Sequence, residues 1–150
     1  MISALDSHAD IALYDLLSGS YLRSTGTPLA PAGQGSDWLY REAPFGVLAH
    51  DGGADPRFIY ANLEAQTCFE YSWSEIIGMP SRLSAGPADR AERQRLLDAV
   101  RRDGFVRGYR GLRIAKSGRH FWIEDGIVWQ LSDDAGIERG QAALFYSKSR

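Results

Sequence analysis

The chain has 150 residues, 44% of them hydrophobic, and its 17 Lys and Arg against 19 Asp and Glu give a formal net charge of -2. That is the size of one domain with a buried core, and its interspersed charges leave no basic field for nucleic acid, which is not an expected partner. A single cysteine, Cys68, excludes an internal disulfide, and no run approaches the roughly 20 apolar residues of a membrane helix or the pattern of a secretory leader, so the expected address is the cytoplasm.

Ser7 to Arg23 spaces Ile11, Tyr14, Leu17 and Tyr21 as one face of a helix, which Gly26 and Pro28 stop. That helix packs on its own domain or pairs with a second subunit. Thr27 to Asp37 is rich in Gly, Pro, Ala and Ser and reads as a connection, so residues 1–37 form a flanking helix and linker and residues 38–150 the domain. Trp38, Leu39 and Tyr40 anchor the linker to the core.

Phe45 to His50 and Arg57 to Ala61 alternate as a hairpin around Gly52-Gly53, with Phe45, Val47, Phe58 and Tyr60 on recurring faces. Asn62 can cap a helix over Leu63 to Phe69, and short helices and a Ser, Gly and Pro loop carry the chain to Arg90. Asp89 with Glu92 resembles a capping box. Leu96, Leu97 and Val100 form the buried face of the next helix, and Arg90, Arg93, Arg95, Arg101 and Arg102 a solvated face among Glu92, Asp98 and Asp103.

The period then changes to two. Phe105 to Ala115 is a strand, and His120 to Leu131 a second with Phe121, Ile123, Ile127, Trp129 and Leu131 on one face. Gln141 to Tyr146 is the last. Trp122 falls opposite Phe121, which makes the second face of the sheet a candidate dimer surface, one the N-terminal helix can meet.

The segments VLAHD, PRFIYAN and SWSEIIGMPSRLSA resemble the MEKHLA domain, a PAS-like sensory module that stands alone in bacteria and ends the class III homeodomain-leucine zipper regulators of plants. The resemblance covers nearly the whole chain. It implies an α+β fold, a five-stranded antiparallel sheet with helices on one face, plus the flanking helix, which in PAS proteins often pairs between subunits. The segment GMPSRLSAGP also aligns with GRNCRFLQGP of the blue-light flavin domains. There the adduct-forming cysteine becomes Ser81, and the amide residues that bond the flavin ring fall on Pro80, Ala85, Ile123 and Phe145. Only Arg82, at a phosphate-contacting position, matches. Flavin is therefore not an expected cofactor, and neither is haem, since no histidine lies between Asn62 and Gly104.

The expected small-molecule pocket is drawn from Phe58, Tyr60, Asn62, Ser81, Arg82, Trp129 and Phe145. Arg82 can hold a carboxylate or phosphate through two parallel bonds, or pair internally with Glu75 or Glu124. His50-Asp51 invites a metal or acid-base reading, but His8, His50 and His120 lack ligand spacing, so no metal is expected. Cys68 reads as core filling, redox-active only if exposed with a low pKa. Without hydrolase, phosphate-loop or dinucleotide motifs the chain is not expected to be an enzyme. The expectation is a sensory or regulatory module that binds a small apolar or amphipathic ligand and signals through a homodimer or an unidentified protein partner. The alternative is a ligand-free interaction module with a filled core.

Overall fold

The computed structural model describes residues 10–149. Helix α1 (Ile11–Thr25) starts where the Asp10 carboxylate accepts the Ala12 and Leu13 amides at 2.9 and 3.3 Å, and ends at Gly26, whose φ of 76° suits glycine. The expected start at Ser7 lies outside the described residues. After α2 (Ser36–Arg41) come strands β1 (Gly46–His50) and β2 (Phe58–Ala61), then α3 (Leu63–Phe69), α4 (Trp73–Ile76), two single-turn helices at Ser81–Ser84 and Pro87–Asp89, and α5 (Arg90–Asp103). Strands β3 (Phe105–Ile114), β4 (His120–Ser132) and β5 (Glu138–Ser149) complete an antiparallel sheet of order β2-β1-β5-β4-β3. The architecture is the expected α+β arrangement.

One expectation about β4 changes. Glu124 pairs with Tyr146 but Ile127 pairs with Leu144, so three steps along β4 face two along β5, and Asp125 takes up the extra residue at φ 50°. A bulge shifts the alternation by one. Phe121 and Ile123 therefore face the helical crossover together with Val128, while Ile127, Trp129 and Leu131 face α1. A second irregularity, where Ala49 pairs with Tyr60 but His50 with Phe58, sends Phe58 and Tyr60 to opposite faces.

Both faces are consequently covered. On the outer face Leu17 and Tyr21 of α1 and Leu39 and Tyr40 of α2 bury Trp129 and Leu131, and the Tyr21 and Trp129 rings meet edge to face at 4.9 Å. Ser20 fastens α1 by donating to the Ser132 carbonyl and accepting its amide, both at 2.9 Å. Much of the proposed dimer face is thus occupied by the chain's own first helices. Exposed Tyr146 and half-buried Trp122, whose ring lies 3.7 Å beneath the Arg110 guanidinium, remain outside that cover.

Asn62 joins the layers. Its side chain caps α3 at Ala65 N (3.1 Å), accepts Val47 N (2.9 Å), and donates to Leu39 O (3.0 Å) and Phe45 O (2.9 Å), all fully buried from solvent at the amide. Four bonds fill the capacity of an amide side chain. The expected capping box at Asp89 does not form, because the Pro87–Asp89 turn runs directly into α5 and Asp89 already has helical dihedrals. The capping box is instead Ser72 with Glu75, at the start of α4.

His50 ends β1 with Nδ1 donating to the Asp51 carbonyl at 2.8 Å. Burial pushes its pKa below the ordinary value; the Arg93 and Arg101 charges add to this, while the bond to Asp51 opposes it.

Two measurements check these assignments. Asn62→Ala strands two amides and two carbonyls, so it is expected to cost on the order of 4 kcal/mol, against about 1 kcal/mol for removal of the exposed cap by Ser72→Ala; equal costs in urea unfolding would contradict the keystone role. For His50, the unfolded chain takes up a proton near pH 6.5 that the folded chain refuses, so its contribution is present above that pH and lost as pH falls below it. Melting temperature should fall between pH 7.5 and 5.5, with a shallower slope in His50→Gln; an unchanged slope would show that His50 is not the group responsible.

Candidate functional site

Helix α5 lies across the inner face of the sheet, directing Arg93, Leu96, Leu97 and Val100 inward at the i, i+3, i+4, i+7 spacing of one helical face. Between α5 and the strands is a cavity of about 60 Å³. Its walls are mostly hydrocarbon, from residues such as Phe58, Phe69, Ile123, Val128 and Phe145. Phe145 can lie there because its strand partner is Gly46: a Cβ at that position would stand 2.4 Å from the ring. The same ring packs against Phe69 at 5.9 Å, and Phe69 against Phe121 at 4.9 Å.

Two arginines are among the residues that bound this apolar space. Arg93 is 8% exposed and Arg113 6% exposed, and both line the cavity. Arg93 donates to the Ser81 hydroxyl. Arg113 donates to the Leu112 carbonyl at 2.9 Å and to the Tyr109 hydroxyl at 3.1 Å, and that hydroxyl donates to Glu92 at 2.8 Å. Gly111 makes this chain of bonds fit, since a Cβ there would meet the Tyr109 oxygen at 2.3 Å. Among the described residues, neither guanidinium is within ion-pair distance of a carboxylate. Burial, reinforced by the neighbouring Arg113 charge, brings the Arg93 pKa down to about 10. Taking a charge out of water costs on the order of several kcal/mol even after relaxation.

Ser81 is positioned by backbone rather than by its own helix. The loop before it pairs with the β2 edge, through Phe58 N to Met79 O at 3.0 Å and Ser81 N to Pro56 O at 2.8 Å. Its hydroxyl thereby meets Arg93 in the interior. Two acceptors of residues on the cavity lining, His50 Nε2 and Gln141 Oε1, are buried without a hydrogen-bond partner among the described residues. The same two residues line a more polar cleft of about 200 Å³ near Gly52 and Gly140. They form a shared wall between cleft and cavity.

Of the residues expected to form the pocket, Phe58 and Phe145 line the cavity and Ser81 contacts it through Arg93. Asn62 binds backbone, and Tyr60 and Trp129 lie under α1 and α2 beyond the sheet. Arg82 is half exposed and pairs with Asp55 at 3.2 Å. Neither internal partner considered for it is engaged with it, since Glu75 binds Lys116 and Glu124 binds Arg110. Two arginines are buried instead, Arg113 of β3 and Arg93, the latter expected on the solvated face. Its spacing with Leu96, Leu97 and Val100 was the available signal. Cys68 is buried, and burial raises its thiol pKa, so neither condition for redox activity is met. No cluster of three or more metal-ligating side chains occurs among the described residues.

These residues do not fit a flavin. Ser81 offers a hydroxyl already bonded to Arg93, Ile123 and Phe145 present hydrocarbon where ring amides need partners, and 60 Å³ is far below the roughly 300 Å³ or more of sites that hold molecules of that size.

Similar folds occur in solved structures. A PAS domain of a protein from Colwellia psychrerythraea superposes with a TM-score of 0.67 at 18% identity, over 75% of this chain and 93% of that one. The LOV domain of a blue-light activated histidine kinase from Erythrobacter litoralis gives 0.61 at 22% identity, over 73% and 100%. The LOV domain of the blue-light photoreceptor Aureochrome1 gives 0.59 at 21%, over 70% and 76%. At these identities the likeness is one of fold. No curated protein matches the chain. The family model of the MEKHLA domain matches residues 11–149, and the chain belongs to the MEKHLA-domain family.

Proposed function

We propose that this chain is a PAS-like regulatory module of the cytoplasm that binds a small amphipathic ligand between α5 and the sheet, and passes occupancy on through self-association or a protein partner. It carries out no catalysis of its own. The observation that carries this reading is the contrast between the two layers. The outer layer is close aromatic and aliphatic packing, with Trp129 fully buried, whereas the inner layer holds a cavity with hydrocarbon walls and two arginines among its lining residues. Hydrocarbon surface with a few convergent polar groups is the usual composition of a small-molecule site. Displacement of α5 or of the His50–Gln141 wall would couple the cavity to the surface. The outer-face residues left for a second copy are Tyr146 and Trp122.

The cavity's size favours one competing reading. At about 60 Å³ it is on the order of two water volumes, which also suits a ligand-free interaction module with an imperfectly filled core. Ala143→Val separates the two, because it adds bulk to the cavity lining on a strand where a β-branched residue is well tolerated. Native mass spectrometry of the purified wild-type chain should show a stoichiometric bound compound that Ala143→Val lacks while still folding. The same spectrum reads the oligomeric state. A wild-type chain with no bound compound, together with a more stable Ala143→Val that keeps its oligomeric state, would support the filled core.

A further inference from the structure

Arginine is almost never fully buried unless paired, yet two arginines share this one interior. Among the described residues, Arg93 has the Ser81 hydroxyl as its one hydrogen-bond partner and Arg113 has one carbonyl and one hydroxyl. Each guanidinium carries five N–H donors, so most are uncommitted. Glu92 reaches Arg113 only through the Tyr109 hydroxyl. Two like charges in a low-dielectric cavity repel, and removal of the partner from a buried ion pair is the strongly destabilising case. An anion is the one partner that would offset both charges at once.

The cavity specifies which kind. A guanidinium fork matches the two coplanar oxygens of a carboxylate. A phosphate would place further charged oxygens against Phe58, Phe69, Ile123 and Val128, where nothing can hydrogen-bond them. The volume of about 60 Å³ admits only a few non-hydrogen atoms. We propose that the ligand is a compact organic monocarboxylate, its carboxylate between Arg93 and Arg113 and its hydrocarbon part against Phe58, Ile123, Val128 and Phe145. This deepens the reading of the cavity as a ligand site and rests on it.

The test uses the full chain, dialysed into carboxylate-free buffer, with sodium propionate, propionamide and sodium chloride at matched ionic strength. Propionate and propionamide have nearly the same shape and differ in charge. Calorimetric titration should show propionate binding at least tenfold more tightly than propionamide, and propionate alone raising the melting temperature. Arg113→Met and Arg93→Met should each reduce propionate affinity tenfold or more, while melting no lower than the unliganded wild type, since each removes an unpaired buried charge. Arg113→Lys keeps the charge without the fork and should fall between. Equal binding of acid and amide, or propionate affinity unchanged in both methionine variants, overturns the proposal. A neutral compound found in the wild-type chain by native mass spectrometry would overturn it while leaving the cavity a ligand site.

Discussion

At Asp125 and Gly126, β4 carries one residue more than β5 can pair, and every side chain beyond that point changes face. Without that extra residue, Phe121, Ile123, Ile127, Trp129 and Leu131 would form a single stripe against one layer of helices. With it, the strand supplies Phe121, Ile123 and Val128 to the inner layer and Trp129 and Leu131 to the outer one. A 13-residue strand thus serves two cores. The sheet can then be sandwiched between α1 with α2 on one side and the α3 to α5 crossover on the other.

The two layers differ physically. Under α1, aromatic and aliphatic side chains meet: Trp129, Tyr21, Leu17 and Leu39 are buried together between the helices and the sheet. Under α5, two guanidiniums and a cavity interrupt the hydrocarbon contact. The crossover is held at its rim by polar groups, with Arg119 reaching Glu70 and the Cys68 carbonyl and Lys116 reaching Glu75. Such exposed pairs contribute little each and weaken with salt. These rim contacts lie on the same side of the sheet as the cavity.

Much of this was legible in the residues. Period-two alternation located five strands, and the one polar residue between β2 and the next helix identified Asn62 as the α3 cap. Two kinds of feature were not. A bulge has no fixed signature, because an Asp-Gly pair is as compatible with a turn as with a bulged strand, so strict alternation carries past Asp125 and puts Trp129 on the inner face, whereas the structure places it in the outer layer. Arg93 was hidden by its neighbours. Among five arginines on one helix it is the one whose spacing matches Leu96, Leu97 and Val100, but residue type argues for solvent and only spacing argues for burial. Three-dimensional convergence of Arg93 from α5 with Arg113 from β3, twenty positions apart on separate elements, has no local trace at all.

An anion between Arg93 and Arg113 is the occupant proposed for the inner cavity. The most direct measurement is a high-resolution crystal structure of the chain purified without carboxylate additives from the cells that made it. Non-protein density is expected inside the cavity, flat at one end and in contact with both the Arg93 and Arg113 guanidiniums. A cavity that is empty or holds water alone, with either arginine turned to pair with Glu92 or out to solvent, would contradict it.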